Sequence, residues 1–151
     1  MGANFIDGSK LSTKELESGS AFTPNFGAGG LVTAIAVEAT RGDILMLAHM
    51  NAEALRRTFE TGYVHYFSRS RNEIWKKGET SGETQKLVEI RVDCDQDALI
   101  LLVEMVGQGA ACHTGRRSCF FRRVIVRGDD LMLEDVGTEK LFDPAEVYKG
   151  S

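Results

Sequence analysis

Apolar residues recur with a period of two along much of the chain and with a helical period in one clear place, a pattern that predicts a strand-rich domain. Leu31 to Ala39 and Ile44 to His49 are short apolar segments separated by Thr40-Arg41-Gly42-Asp43, which predicts two strands joined by a turn. Asn51 then stands as an N-cap, Leu55 and Phe59 fall one helical turn apart, and Gly62 is placed to end the helix in a left-handed conformation. Tyr63 to Ser68 returns to aromatic, β-favouring residues. Lys86 to Asp97 is the clearest strand, because Val88, Ile90 and Val92 alternate with Glu89, Arg91 and Asp93. Ala98 to Val106 and Phe120 to Val126 supply further strands, connected by the glycine-bearing segment Gly107 to Ser118. The expected fold is α+β, a small mixed strand-rich domain with one or two short helices.

Two stretches lack a period. Residues 1–30 mix Gly, Ser, Asn and single apolar residues, which predicts a flexible N-terminal arm and a single folded domain over 31–151. The seventeen residues from Arg69 to Gln85 are polar, charged and glycine-containing. Structureless stretches of that length inside a compact domain are usually functional, so this one is a candidate binding loop.

Composition narrows the class. A chain of 151 residues, 42% hydrophobic and 26% charged, suits one globular domain able to bury about 70% of its unfolded surface. The longest apolar run, Ala98 to Val103, is too short to cross a bilayer. No basic segment followed by an apolar stretch opens the chain, so neither a membrane span nor a secretory signal is expected, and the cytoplasm is the expected compartment. Eighteen Lys and Arg against 22 Asp and Glu leave a net charge of -4, which gives no bulk attraction for nucleic acid and makes any anion site local. Three cysteines cannot close into pairs, and in a reducing compartment they serve as metal ligands, catalytic groups or small core residues.

The chemistry concentrates around those cysteines, Cys94, Cys112 and Cys119. Thiolate sulfur is the soft ligand that zinc favours, and three protein ligands leave a fourth tetrahedral position for water. On spacing alone this reading and that of three small buried residues are evenly matched. A period of two carried past Val92 places Asp93, Asp95 and Asp97 on one side of a strand end and Cys94 on the other. Three carboxylates facing one way suit a hard cation such as Mg2+, with a solvated strand end as the simpler alternative. His113 directly follows Cys112 and is better placed than His49 or His65 to exchange protons with a substrate; the spacing equally permits it to be a fourth zinc ligand.

Five arginines and no acidic residue lie between His113 and Arg127, a local positive field in a negative chain. Arg116 and Arg117 sit inside the cysteine loop, where guanidinium forks suit phosphate; Arg122, Arg123 and Arg127 read as strand-surface charges. The 69–85 loop adds Arg69, Arg71, Lys76 and Lys77, with Trp75, Thr80, Ser81 and Gly82 offering a stacking surface, hydroxyls and backbone amides.

Three stretches taken in order resemble the phosphoribosyl-AMP cyclohydrolases of histidine biosynthesis. They are Ser68-Arg69-Ser70-Arg71 leading to Trp75-Lys76-Lys77-Gly78-Glu79-Thr80-Ser81-Gly82, then Val92 to Asp97, then Ala111-Cys112-His113-Thr114-Gly115-Arg116-Arg117-Ser118-Cys119. A weaker match, Leu45 to Asn51, precedes them. Two departures are visible: Ala110 stands where the family often has proline, and His49 where it often has an aromatic residue.

The resemblance implies an intertwined homodimer in which each zinc is shared, Cys94 of one chain joining Cys112 and Cys119 of the other. It also implies magnesium at Asp93, Asp95 and Asp97, and hydrolytic opening of the adenine ring of 1-(5-phosphoribosyl)-AMP at the N1–C6 bond. On this reading His113 is the candidate proton-transfer group, with a role as fourth zinc ligand still open to it, and Arg69, Arg71, Trp75, Lys76, Glu79, Thr80, Ser81, Gly82, Arg116 and Arg117 are the candidates for binding this small phosphorylated nucleotide. Because the chain ends at Ser151, the cyclohydrolase is expected alone, without the pyrophosphohydrolase domain to which the family is sometimes fused. The rival reading is a non-enzymatic zinc-stabilised module that binds RNA or protein. It leaves the aspartate series without a task and predicts a more basic chain.

Overall fold

The structure is a computed structural model that describes residues 4–137 and 140–148. Residues 1–3 of the expected arm, and 138–139 and 149–151 of the expected domain, lie outside them. The apolar segments named above form strands β1 (Val32–Glu38) and β2 (Ile44–Met50), an antiparallel pair. Helix α2 (Ala52–Thr61) follows; α1 is described below. Asn51 caps α2 by accepting the Ala54 N–H at 2.8 Å, and Gly62 ends it at φ 79°. Next come β3 (His65–Ser68), β4 (Glu73–Lys76), β5 (Gln85–Val92) and β6 (Ala98–Met105). The six strands form one sheet in the order β4-β3-β2-β1-β6-β5, antiparallel throughout except where β6 runs parallel to β1.

Alternation puts Val32, Ala34 and Ala36 of β1 and Leu99, Leu101 and Val103 of β6 on the face covered by α2 and the N-terminal residues. Met50, Leu55 and Tyr66 complete that core. Ile100 and Leu47, by contrast, are exposed.

Other elements lie beyond the expected pattern. Residues 4–30, read as a flexible arm, carry helix α1 (Thr13–Ser18), in which Leu16 is buried, and pack on the core through Phe26, with Phe5 and Phe22 against it. Ser12 and Glu15 cap α1 reciprocally at 3.2 Å, a Ser-x-x-Glu signature visible in the sequence. The 69–85 loop is interrupted by β4, and Phe120 to Val126 becomes β7 (Arg122–Arg127), paired through a Gly128-Asp129 turn with β8 (Asp130–Asp135). A short helix α3 (Pro144–Val147) follows.

The strand expected to run to Asp97 stops at Val92, which corrects the placement of the aspartates by strand period. Residues 93–97 form a turn, with Gln96 at φ 60°. Asp93 Oδ1 accepts the N–H groups of Asp97 and Ala98 at 3.0 and 3.1 Å, so a side-chain turn displaces the pleat. Gln96 points inward, where its amide accepts the Thr23 N–H and donates to the Leu16 carbonyl, both at 2.8 Å. The N-terminal residues are thereby tied to the acidic turn.

Candidate active site

Segment 111–119 folds back on itself: the N–H of Ala111 and Cys112 donate to the carbonyls of Arg117 and Arg116, each at 3.1 Å. The Cys119 N–H then donates to the Leu45 carbonyl at 2.7 Å, pinning the loop to β2. This brings the Cys112 and Cys119 thiols into mutual contact. Although Cys119 is exposed as a residue, desolvation of its thiol in the loop, with the adjacent Cys112 sulfur, pushes it up to about 12. Thr114 Oγ1 donates to Cys112 Sγ at 3.0 Å.

Lys77 is buried beside the pair. Burial lowers its ammonium from the usual lysine range, while Cys119, Cys112 and Glu83 pull it back. Two sulfurs facing a buried cation fit a soft metal, which would hold both as thiolates.

Cys94 is exposed in the 93–97 turn, beside Glu17, Gly19 and Phe22, and the three sulfurs do not converge in one chain. One chain thus offers two sulfurs at one place and a third at another. The carboxylates do converge: Asp93, Asp95 and Asp97 bring ligand atoms within 4.8 Å of one another, a separation suited to one hard cation. A hydrogen bond to Asp93, with burial and Asp95, pushes Asp97 up to about 6. At Asp93, burial works upward, but hydrogen bonds from Ala98, Asp97 and Asp95 hold the carboxyl below its usual range.

A cavity of about 360 Å³ opens beside Cys119. His113 lines it from the cysteine loop, and Arg71, Trp75, Lys76, Glu79, Thr80 and Ser81 line it from the binding loop. Tyr66 supports the Trp75 wall, with ring centroids 5.2 Å apart, and donates its hydroxyl to Gln85 Oε1 at 2.6 Å. Gln85 is fully buried. Replacing it with Leu orphans the Tyr66 hydroxyl and is expected to cost about 1–3 kcal/mol in denaturant unfolding. Gly78 makes the bend below Thr80 at φ 84°, where a Cβ would lie 2.3 Å from the Glu83 carbonyl carbon.

The other expected site residues lie elsewhere. Arg69 faces His49, whose imidazole is lowered first by burial and then by that cation. Gly82 closes the 78–82 turn, its N–H on the Gly78 carbonyl at 2.8 Å, and is not part of the cavity lining. Arg116 pairs with Asp135 at 3.0 Å and stacks 4.9 Å over Phe121. Arg117 lines a separate groove with Arg41, Ile44 and Leu141. On the β7–β8 ribbon, Arg123 and Arg127 pair with Glu134. Of the other two histidines, His65 is buried with Nδ1 2.9 Å from the Tyr63 carbonyl.

Sequence reasoning missed Tyr148 and Glu83 here, and read Lys77 only as one of the cations of the binding loop. Tyr148 reaches the cavity because the Leu141 N–H donates to the Gly115 carbonyl at 2.7 Å, anchoring the C-terminal segment to the cysteine loop. Glu83 and Lys77 are buried charges whose partners lie in the 107–119 segment, far away in sequence, so no local pattern marks them. Ala110 keeps an N–H that proline lacks, and it donates to Glu83 at 3.1 Å.

Residues 46–121 match the family model described as phosphoribosyl-AMP cyclohydrolase. A protein of that name from Nitrobacter winogradskyi is 58% identical over 95% of this chain and 98% of its own length. Its counterparts from Bradyrhizobium diazoefficiens and Sinorhizobium fredii are each 57% identical over 89% of this chain, covering 95% and 88% of their own lengths. With half the chain matched by one family model and identity this high over nearly its whole length, the chain belongs to the phosphoribosyl-AMP cyclohydrolase family, hydrolytic enzymes of histidine biosynthesis.

Proposed function

We propose that the chain opens the adenine ring of 1-(5-phosphoribosyl)-AMP hydrolytically at the N1–C6 bond, acting in the cytoplasm as a homodimer with zinc shared between subunits. The observation that carries this reading is the meeting of Cys119 and His113 with the 71–81 loop around one cavity. Cys112 and Cys119 of one subunit and Cys94 of its partner would hold zinc, which when bound supplies Lewis acidity for activating water. Asp93, Asp95 and Asp97 would hold magnesium close to the phosphates.

The remaining work falls to side chains around the cavity. Trp75 offers its ring to the purine, Arg71 and Lys76 offer cations to the phosphates, and Thr80 and Ser81 offer hydroxyls. His113, exposed at the cavity wall, moves protons between attacking water and departing nitrogen.

Exposed apolar surface supports the homodimer. Cross-strand partners Val124 and Leu133, and Val126 and Leu131, share one face of the β7–β8 ribbon and are 56–73% exposed. A two-stranded ribbon is marginal alone, so such a face calls for cover, which a second copy supplies. The non-enzymatic module finds no comparable support, since relatives matched over nearly the whole chain carry an enzyme's name.

Zinc-loaded protein incubated with the nucleotide should change its ultraviolet absorbance as the purine opens, and a zinc chelator should stop the change. Absence of any chelator-sensitive conversion overturns the reading. Replacing Tyr148 with Ala removes one wall of the cavity and is expected to raise KM about tenfold, equivalent to about 1.4 kcal/mol of binding, with kcat little changed. An unaltered KM would remove Tyr148 from the substrate site.

A further inference from the structure

We propose that Glu83 is a positioning residue that locks the loop carrying Cys112 and His113 onto the loop carrying Thr80 and Ser81; this rests on the functional reading above. The Glu83 side chain is buried, at 3% exposure, yet its carboxylate is fully employed. Oε1 accepts the N–H of Gln108 at 2.8 Å, and Oε2 accepts those of Gly109 at 2.8 Å and Ala110 at 3.1 Å. Gly107 and Gly109 adopt φ of 100° and 91°, so three successive amides turn toward one point. Such a concavity of backbone amides binds anions, and here the anion comes from the chain itself.

Glu83 joins the two loops from both ends. Its own N–H donates to Ser81 Oγ at 3.1 Å, while the amides it binds lie immediately before Ala111 and Cys112. Lys77, buried beside Cys112 and Cys119, is attracted by the same carboxylate. The fit is tight: a Cβ at Gly107 would lie 2.9 Å from the Gly82 carbonyl oxygen and 3.0 Å from the Glu83 carboxylate carbon. Hydroxyls, imidazole and thiols are therefore set relative to one another by a single carboxylate, and small misplacement of reacting groups is costly in rate.

Glu83→Gln keeps the shape but turns one acceptor oxygen into an amide donor facing backbone N–H groups; Glu83→Asp keeps the charge but shortens the reach. Glu83→Gln is expected to lower kcat about 10- to 100-fold with KM changed far less, and Glu83→Asp to recover part of the loss. Amide hydrogen exchange at residues 108–110 should accelerate about tenfold or more in both, measured on metal-free protein. The visible absorption of Co2+ substituted for zinc should shift in Glu83→Gln as Cys112 moves. Unchanged exchange at 108–110 overturns the proposal, and so does a loss of thermal stability with kcat and the cobalt spectrum unaltered. Failure of the unmutated protein to convert the nucleotide would sink the functional reading instead, leaving exchange and cobalt absorption to decide the clamp.

Discussion

Mixing a Cys94→Ser chain with a Cys112→Ser chain under conditions that exchange subunits is expected to restore about a quarter of unmutated activity, although each variant alone is inactive. The expectation follows from the separation of the sulfurs. Cys112 and Cys119 touch, whereas Cys94 projects from the 93–97 turn toward solvent. If zinc is gripped across a two-fold axis, each mixed dimer holds one site with every sulfur intact and one site lacking two. Half of the dimers are mixed at equal concentrations and half of their sites work, which gives the quarter. Complementation with differently tagged chains, scored by turnover and by zinc content, reads this directly. Persistent inactivity, with subunit exchange verified by co-purification of the tags, would show that the sulfurs do not meet between subunits.

Replacing His113 with Ala is expected to lower turnover by about 100-fold or more, with zinc content and dimer mass unchanged. Of the three histidines only His113 lines the cavity; His65 is committed to the Tyr63 carbonyl, and His49 lies on β2 near Arg69. The demand on a proton carrier is high because three thiolates would offset much of the zinc charge and make it a milder acid. Near-normal turnover would exclude the role, and loss of zinc together with turnover would make His113 a ligand instead.

Much of the scaffold was legible where the signal is local. Asn51 and Gly62 bound α2 as their chemistry requires, and the Thr40–Asp43 turn separates β1 from β2. The Ser12-Thr13-Lys14-Glu15 cap of α1 and the Gly128-Asp129 turn of the β7–β8 hairpin were also written locally, but each serves an element too short to show a convincing period. Residues 93–97 misled for a different reason. Alternation describes a strand only while the backbone stays extended, and Asp93 ends it by capturing the amides of Asp97 and Ala98. The carboxylates gather all the same, brought together by the turn.

Readable from residue order alone are the inventory of chemistry and its local frame: sulfurs beside a histidine, a run of carboxylates, a cationic and hydroxylated loop, and one capped helix. Side-chain type and short-range backbone preference suffice for these. Folding alone brings about the rest: Cys119 and His113 share a cavity with Trp75 and Ser81, Cys94 stands apart, and Glu83 clasps three amides about twenty-five residues away. These placements depend on β6 lying parallel to β1 and on loops meeting across the sheet. Such long-range contacts are paid for by burial of distant surfaces and leave no periodic trace in the residues that make them.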